Sequence, residues 1–247
     1  MTVTPTGLRR FARPQFTGPR APSGAARAER CELCGEQIGT GIDTTGTDIA
    51  GMGTAGMGTA HAHLVDLERR SIACACTPCA LLFTQPGGRY RTVPDRVLTD
   101  PAAPLTDAEW TELRIPVGLA FFFRNSALGH LVASYPSPAG VTECELDLAA
   151  WDRLAERHPL LRTVAPDVEA ILVASGTGIE TFLVPIDVCY SLAGALRLQW
   201  RGFDGGDEGK RVITDLLADL RHRARPVEAG QIEAGAEPAR AMSGPEA

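Results

Sequence analysis

The sequence of 247 residues contains no apolar run long enough to cross a membrane. The longest candidate, at 115–123, has only the length of a strand, and Pro116 and Gly118 interrupt it. The first residues also lack the apolar centre of a secretory signal, so we expect a cytoplasmic protein. Thiols stay reduced in that compartment, and clustered cysteines there indicate metal or redox chemistry rather than disulfides.

Lysine is scarce as well. The net charge is -6 and Lys210 is the only lysine, which argues against a protein that binds nucleic acid through a basic surface. Five arginines lie in 1–28, a segment too polar and too rich in proline and glycine to bury a core. We therefore predict a disordered basic tail at 1–28 and a second disordered tail at 226–247. Hydrophobic residues make up 44% of the chain, which is enough for a packed core between the tails.

A recognisable catalytic motif is missing too. The GGDEG stretch at 205–209 is similar to a signature of nucleotide cyclases, but it lies between two helical patterns instead of between two strands. His130 and His158 have no nucleophile or acid partner at a familiar spacing. These observations favour a protein without catalytic activity.

What the sequence does contain is two Cys-x-x-Cys pairs. Cys31 and Cys34 precede Gly35, as in a zinc knuckle, where glycine lets the backbone turn tightly behind the ion. Cys76 and Cys79 surround Thr77–Pro78, a pattern typical of a helix start, whose N–H groups stabilise thiolates. We predict a structural zinc ion held by these four cysteines. Three further residues could substitute as ligands, the first being the best: Cys74, His63 and His61.

The same thiolates could also hold an iron–sulfur cluster, and the sequence leaves this alternative open. Four thiolates on Zn²⁺ carry two net negative charges, and Arg30, Arg69 and Arg70 are near enough in sequence to offset them. Cys144 and Cys189 stand alone among apolar residues and are expected to be small core residues.

The order of the elements predicts an α+β protein with two parts. Residues 29–100 form a cysteine-rich metal-binding module, with a glycine-rich insertion at 39–60 in which GMGTA occurs twice. Its order of knuckle, hairpin and helix is typical of a zinc-ribbon or treble-clef-like module. Residues 104–225 form a small α+β domain with antiparallel strand pairs and C-terminal helices. Strands are predicted at 117–123, 130–135, 168–174 and 181–186, and helices begin after Thr106, near Asp147, after Asp187 and at Val212.

Several segments together resemble an uncharacterised actinobacterial family: CELCG, HAHLVDLERRSIACACTPCALLF, GGRYRTVPDR, IPVGLAFFFRNSALGHLVASYPSPAG, PDVEAILV and VPIDVCYSLAGALRLQWRGFDGG. Genes of that family tend to lie among those for uptake nickel–iron hydrogenases. The resemblance covers about 30–223 and implies an accessory part in making or operating such an enzyme. It implies no particular activity.

The leading hypothesis is therefore a non-catalytic, zinc-stabilised accessory protein that assists hydrogenase maturation or assembly through protein contacts. The partner would be the hydrogenase or one of its maturation factors. An iron–sulfur electron-transfer protein of the same system is the alternative. A zinc protein that binds nucleic acid is a weaker alternative, because the basic charge is confined to a tail.

Overall fold

The computed structural model describes residues 30–38, 61–137, 140–176, 178–201 and 205–228. The predicted tail at 1–28, the insertion at 39–60 and the end of the chain from 229 lie outside the described residues. Within the described part of the chain, no helix combines the length and the apolarity that a membrane crossing requires.

The first part of the described chain is a small three-stranded sheet with one short helix. Strands β1 (His61–Asp66) and β2 (Ser71–Cys76) form the predicted antiparallel hairpin, and β3 (Tyr90–Thr92) pairs with the other edge of β1. The helix α1 (Thr77–Phe83) begins at the predicted residue, directly after β2.

A seven-stranded sheet forms the second part. Its members are β4 (Leu98–Thr99), β5 (Leu119–Asn125), β6 (His130–Ser137), β7 (Gly140–Cys144), β8 (Glu169–Ser175), β9 (Ile179–Pro185) and β10 (Arg225–Pro226). The spatial order is β10-β4-β9-β8-β5-β6-β7, and every neighbouring pair is antiparallel except β10 with β4. The structure thus confirms an α+β fold with antiparallel strand pairs.

Two short strands refine the predicted layout. Strand β4 belongs to the seven-stranded sheet, so the three-stranded sheet ends at Thr92, before residue 100. Strand β10 reaches Pro226, one residue into the segment predicted as the second tail, because it pairs in parallel with β4.

The remaining helices are α2 (Asp107–Glu112), α3 (Leu148–Arg157), α4 (Ile186–Gln199) and α5 (Gly206–Arg223), with a 3-10 helix at Pro159–Arg162. Thr106 caps α2 and Asp147 caps α3, both through their side-chain oxygens, as the sequence predicts. Asp187 does not cap α4, because that helix begins one residue earlier, directly after Pro185. The last helix begins at Gly206 rather than at Val212, so the GGDEG stretch is a helix start and not a strand turn.

The seven-stranded sheet is buried on both faces. Along β8, Ile171 and Val173 pack in a core with α2 and α3, whereas Ala170 and Leu172 pack in a second core with α4 and α5. Cys189 is fully buried in this second core, as predicted for a small core residue.

The small sheet is anchored beside the first turn of α4. Val65 of β1 belongs to the second core of the large sheet. The guanidinium of Arg91 donates to the Asp167 carboxylate at 2.8 Å. The small sheet is therefore held against the large sheet through Val65 and Arg91.

Candidate metal centre

The structure brings the four predicted cysteines together. The sulfur atoms of Cys31, Cys34, Cys76 and Cys79 all lie within 4.8 Å of one another. The Cys34 and Cys76 sulfurs are 3.8 Å apart. Four thiolates on one tetrahedral zinc ion, with Zn–S bonds of about 2.3 Å, are separated by about 3.8 Å. The cluster thus has the dimensions of a single-ion site.

The first pair sits on a tight backbone turn. Gly35 adopts a φ of +78°, its N–H donates to the Cys31 carbonyl at 2.8 Å, and the Cys31 N–H donates to the Glu36 carbonyl at 2.8 Å. The guanidinium of Arg30 donates to the Gly35 carbonyl at 3.1 Å and holds the turn from outside. A residue with a side chain at Gly35 would be strained in this left-handed conformation.

The second pair sits where β2 becomes α1. Cys76 is the residue before the first helical turn and Pro78 lies within that turn, where its missing N–H costs no hydrogen bond. The two pairs are tied together by Glu32, whose N–H donates to the Cys74 carbonyl at 2.8 Å. Its carboxylate in turn accepts from the Cys74 N–H at 2.9 Å.

The thiols compete for ionisation when no cation is present. Burial raises the pKa of the Cys31 thiol, but hydrogen bonds from the backbone N–H groups of Cys76, Cys34 and Leu33 outweigh it and lower this pKa to about 6. Burial and the neighbouring sulfurs raise the pKa of Cys79 far above its usual value. The Cys31 thiolate is thus prepared for metal binding, and Cys79 needs a cation beside it to lose its proton.

The three alternative ligands form a second group. His61, His63 and Cys74 also place one ligand atom each within 4.8 Å of one another, apart from the four cysteines. The structure thus groups them with one another rather than with the four cysteines. No spacing rule in the sequence separates the two groups, because Cys74 and Cys76 lie only two residues apart on β2.

Of the arginines predicted to offset the charge of the thiolates, only one lies beside the four cysteines. Arg30 supports the first pair, but Arg69 and Arg70 lie in the turn of the hairpin, at the opposite end of β2 from Cys76. Six strand residues span roughly 17 Å, beyond the reach of a useful charge interaction in water. Arg69 instead lies 4.0 Å from Asp66.

A separate cavity of about 280 Å³ opens between the hairpin and the large sheet. Asp66, Arg70, Phe123, Asp167 and Tyr190 contribute to its wall. Its lining, within the described residues, includes none of the cysteines or histidines of the two groups. The cavity is thus a feature distinct from the candidate metal centre.

Sequence reasoning missed the acidic residue nearest to the histidines. The Oδ2 atom of Asp187 lies 2.5 Å from Nδ1 of His63, although the two residues are 124 positions apart. Residues this far apart carry no local pattern that pairs them. Predicted as a helix cap, Asp187 is in fact held in the first turn of α4, facing β1.

Comparison with known proteins places the chain in a family. Residues 50–224 match a family described as a family of unknown function, DUF5947, and the chain belongs to it. The match includes His61, His63, Cys74, Cys76 and Cys79, and it begins after the first cysteine pair. No curated protein and no solved structure matches the chain.

Proposed function

We propose that this protein is a zinc-stabilised accessory protein without catalytic activity, which assists maturation or assembly of a nickel–iron hydrogenase in the cytoplasm through protein contacts. The observation that carries the proposal is the cluster of four cysteine sulfurs within 4.8 Å. The hydrogenase as partner rests on the family resemblance of the sequence.

Zinc suits this cluster better than an iron–sulfur centre. A cluster places several iron and sulfide atoms between its thiolates and therefore needs sulfurs that lie farther apart than those around one ion. All four sulfurs lie within 4.8 Å of one another, and those of Cys34 and Cys76 are 3.8 Å apart, which fits a tetrahedron around a single ion. Four protein ligands close the coordination sphere, so the ion would stabilise the fold and leave no position for a substrate.

The module also presents an apolar surface that supports a role in protein contacts. The helix α1 places Cys79 and Ala80 in the small core, but Leu81, Leu82 and Phe83 face outward, with Leu81 72% and Leu82 67% exposed. Contiguous exposed apolar side chains of this kind are typical of protein interaction sites. The zinc ion would hold the start of α1 and thereby fix this surface, which we assign to the hydrogenase or its maturation factor.

Metal analysis tests the first half of the proposal. Protein purified without oxygen should be colourless and contain zinc, and the Cys31→Ser, Cys34→Ser double variant should contain one equivalent less. Cys144→Ser is the matched control and should keep the full content, because Cys144 lies in β7. Iron with acid-labile sulfide and a brown colour would overturn the zinc assignment.

Capture from a defined mixture tests the second half. The tagged protein would be incubated with purified hydrogenase large subunit and maturation factors. We expect binding to be lost in Leu81→Glu, Leu82→Glu and kept in the control Leu198→Glu, whose side chain is 81% exposed on α4. Equal binding by both variants, or no binding by the wild type, would refute the assigned surface.

A further inference from the structure

We propose a second metal site, formed by His61, His63 and Cys74, which binds one zinc ion and leaves a coordination position open to an outside ligand. This proposal goes beyond the structural zinc site and does not depend on it. It rests on the positions of three ligand atoms and of the carboxylate of Asp187.

The hairpin places the three ligands on one face. His61 and His63 alternate along β1, so their side chains leave the same side of the strand. Cys74 stands directly opposite His63 in the antiparallel ladder. Cross-strand neighbours of this kind have Cβ atoms about 5 Å apart, which allows imidazole and thiolate to converge on one point.

The distances fit an ion. Nε2 of His61 and Nε2 of His63 are 3.4 Å apart, and the Cys74 sulfur completes a triangle within 4.8 Å. Two imidazole nitrogens on one tetrahedral zinc ion, with Zn–N bonds of about 2.1 Å, are separated by about 3.4 Å. Nitrogen and thiolate donors together suit Zn²⁺, which is a borderline-soft ion.

Asp187 supplies the outer partner that zinc-bound histidines have. Its Oδ2 accepts from Nδ1 of His63 at 2.5 Å, and its side chain is only 13% exposed. With the proton held on Nδ1, the Nε2 lone pair of His63 points towards His61 and is available to a metal ion. Asp187 comes from α4, so two separate elements cooperate to orient one ring.

The site has three protein ligands. Among the described residues, the group holds no fourth histidine, cysteine or carboxylate ligand atom. All three ligands are partly exposed, so water or an outside donor could reach a bound ion. Three protein ligands and an open position distinguish an exchangeable or reactive zinc site from a closed structural one.

Zinc stoichiometry gives the first test. Wild-type protein loaded with Zn²⁺ and desalted should retain two equivalents, and the variants His61→Ala, His63→Ala and Cys74→Ser should each retain one. The control His130→Ala should retain two, because His130 lies on β6 in the other sheet. One equivalent in the wild type and in every variant would overturn the proposal.

Asp187→Asn separates a metal effect from a folding effect. We expect the circular dichroism spectrum and the unfolding midpoint to be kept, while the zinc affinity of the second equivalent falls about 10–100-fold. An unchanged affinity would refute the role of Asp187 as an outer partner of the metal.

A cobalt spectrum tests the open position. Zinc is first loaded at the four-cysteine site, and Co²⁺ is then added to the second site. Excess imidazole should alter the visible absorption of Co²⁺ in the wild type by occupying the open position. In His63→Ala the visible absorption of Co²⁺ bound at the second site should not appear. A wild-type spectrum that does not respond to imidazole would show a closed site and overturn this part of the proposal.

Discussion

Losing the four-cysteine zinc site should unfold the knuckle and α1 while the large sheet stays folded. The perturbation is the Cys31→Ser, Cys34→Ser variant, which removes two thiolates and leaves His61, His63 and Cys74 in place. The expected outcome is local because the hairpin β1–β2 is also held by β3 and by Val65 in the core of the large sheet.

The free energy that the zinc ion must contribute follows from the small size of the core around the cysteines. Among the residues that the structure describes, only Ile38 and Leu64 are large aliphatic side chains fully buried there, at 1% and 0% exposure. Burying two such side chains contributes about 3–6 kcal/mol. Ordering the nine backbone residues at 30–38 costs about 9–18 kcal/mol. A structural zinc ion contributes about 10–16 kcal/mol, which is of the size needed to offset this difference.

Hydrogen exchange measured by mass spectrometry provides the assay. With zinc bound, the amides of Cys31 and Gly35 should be protected, because they donate to the carbonyls of Glu36 and Cys31. In the variant these amides and those of 77–83 should exchange without protection, while the amides of β8 keep their protection. Unchanged protection of the knuckle in a variant that metal analysis shows to lack one zinc would refute the reasoning.

Three further predictions concern the frame around the site. Asp66→Asn should destabilise the hairpin at neutral pH, because the Arg89 guanidinium lowers the pKa of Asp66 from 3.8 to about 2. The extra stability of the wild type should be complete above pH 3.8 and should disappear as the pH falls towards 2. Urea titrations of both proteins at several pH values measure this difference. Arg96→Met should lower the free energy of unfolding in urea by about 2–3 kcal/mol, because it leaves the fully buried Glu169 carboxylate without its paired cation. This figure is smaller than for a fully buried pair because a third of the Arg96 side chain is exposed. An unchanged unfolding midpoint would contradict the prediction. Leu183→Ala should cost about 2–5 kcal/mol by the same measurement, since Leu183 is fully buried at the centre of the sheet, and a cost below about 1 kcal/mol would contradict that packing.

The parts of the fold that follow local rules could be predicted from the sequence. Thr106 and Asp147 cap their helices because a side-chain oxygen near a helix start has only the neighbouring N–H groups to reach. The hairpin β1–β2 and the helix that begins at Thr77 could also be predicted. Alternating apolar and polar residues and a proline in the first helical turn are both short-range signals.

The elements that the sequence missed depend on distant partners. Strands β3, β4 and β10 have two or three residues each, too few to show a periodic pattern. They form because β1, β9 and β4 respectively offer them a pairing edge. The pairing of Asp187 with His63 likewise depends on how α4 lies beside β1. Arg69 and Arg70 were placed near the metal by sequence distance alone, although an extended strand carries them to the other end of the hairpin.

The closeness of the four cysteines could be predicted from the sequence, but the separate grouping of Cys74, His61 and His63 could not. Two Cys-x-x-Cys pairs indicate one four-cysteine cluster because each pair can reach one ion, and the structure brings those four sulfurs together. Cys74, His61 and His63 have no such motif. The ladder sets Cys74 opposite His63, and the distances between the ligand atoms show that these three residues form a group of their own.

The ladder places the two groups next to each other on the hairpin, because Cys76 stands opposite His61 and Cys74 stands opposite His63. Ala62 and Leu64 point to the small core behind the cysteines, while His63 and Val65 point towards α4 and the large sheet. An ion enclosed by four thiolates would fix the shape of the module, because every ligand position is taken. An ion held by His61, His63 and Cys74 would keep a free position beside α4. If both proposals hold, the hairpin holds a structural ion beside an exchangeable one, and a change at one site can reach the other through β2, where Cys74 and Cys76 lie two residues apart.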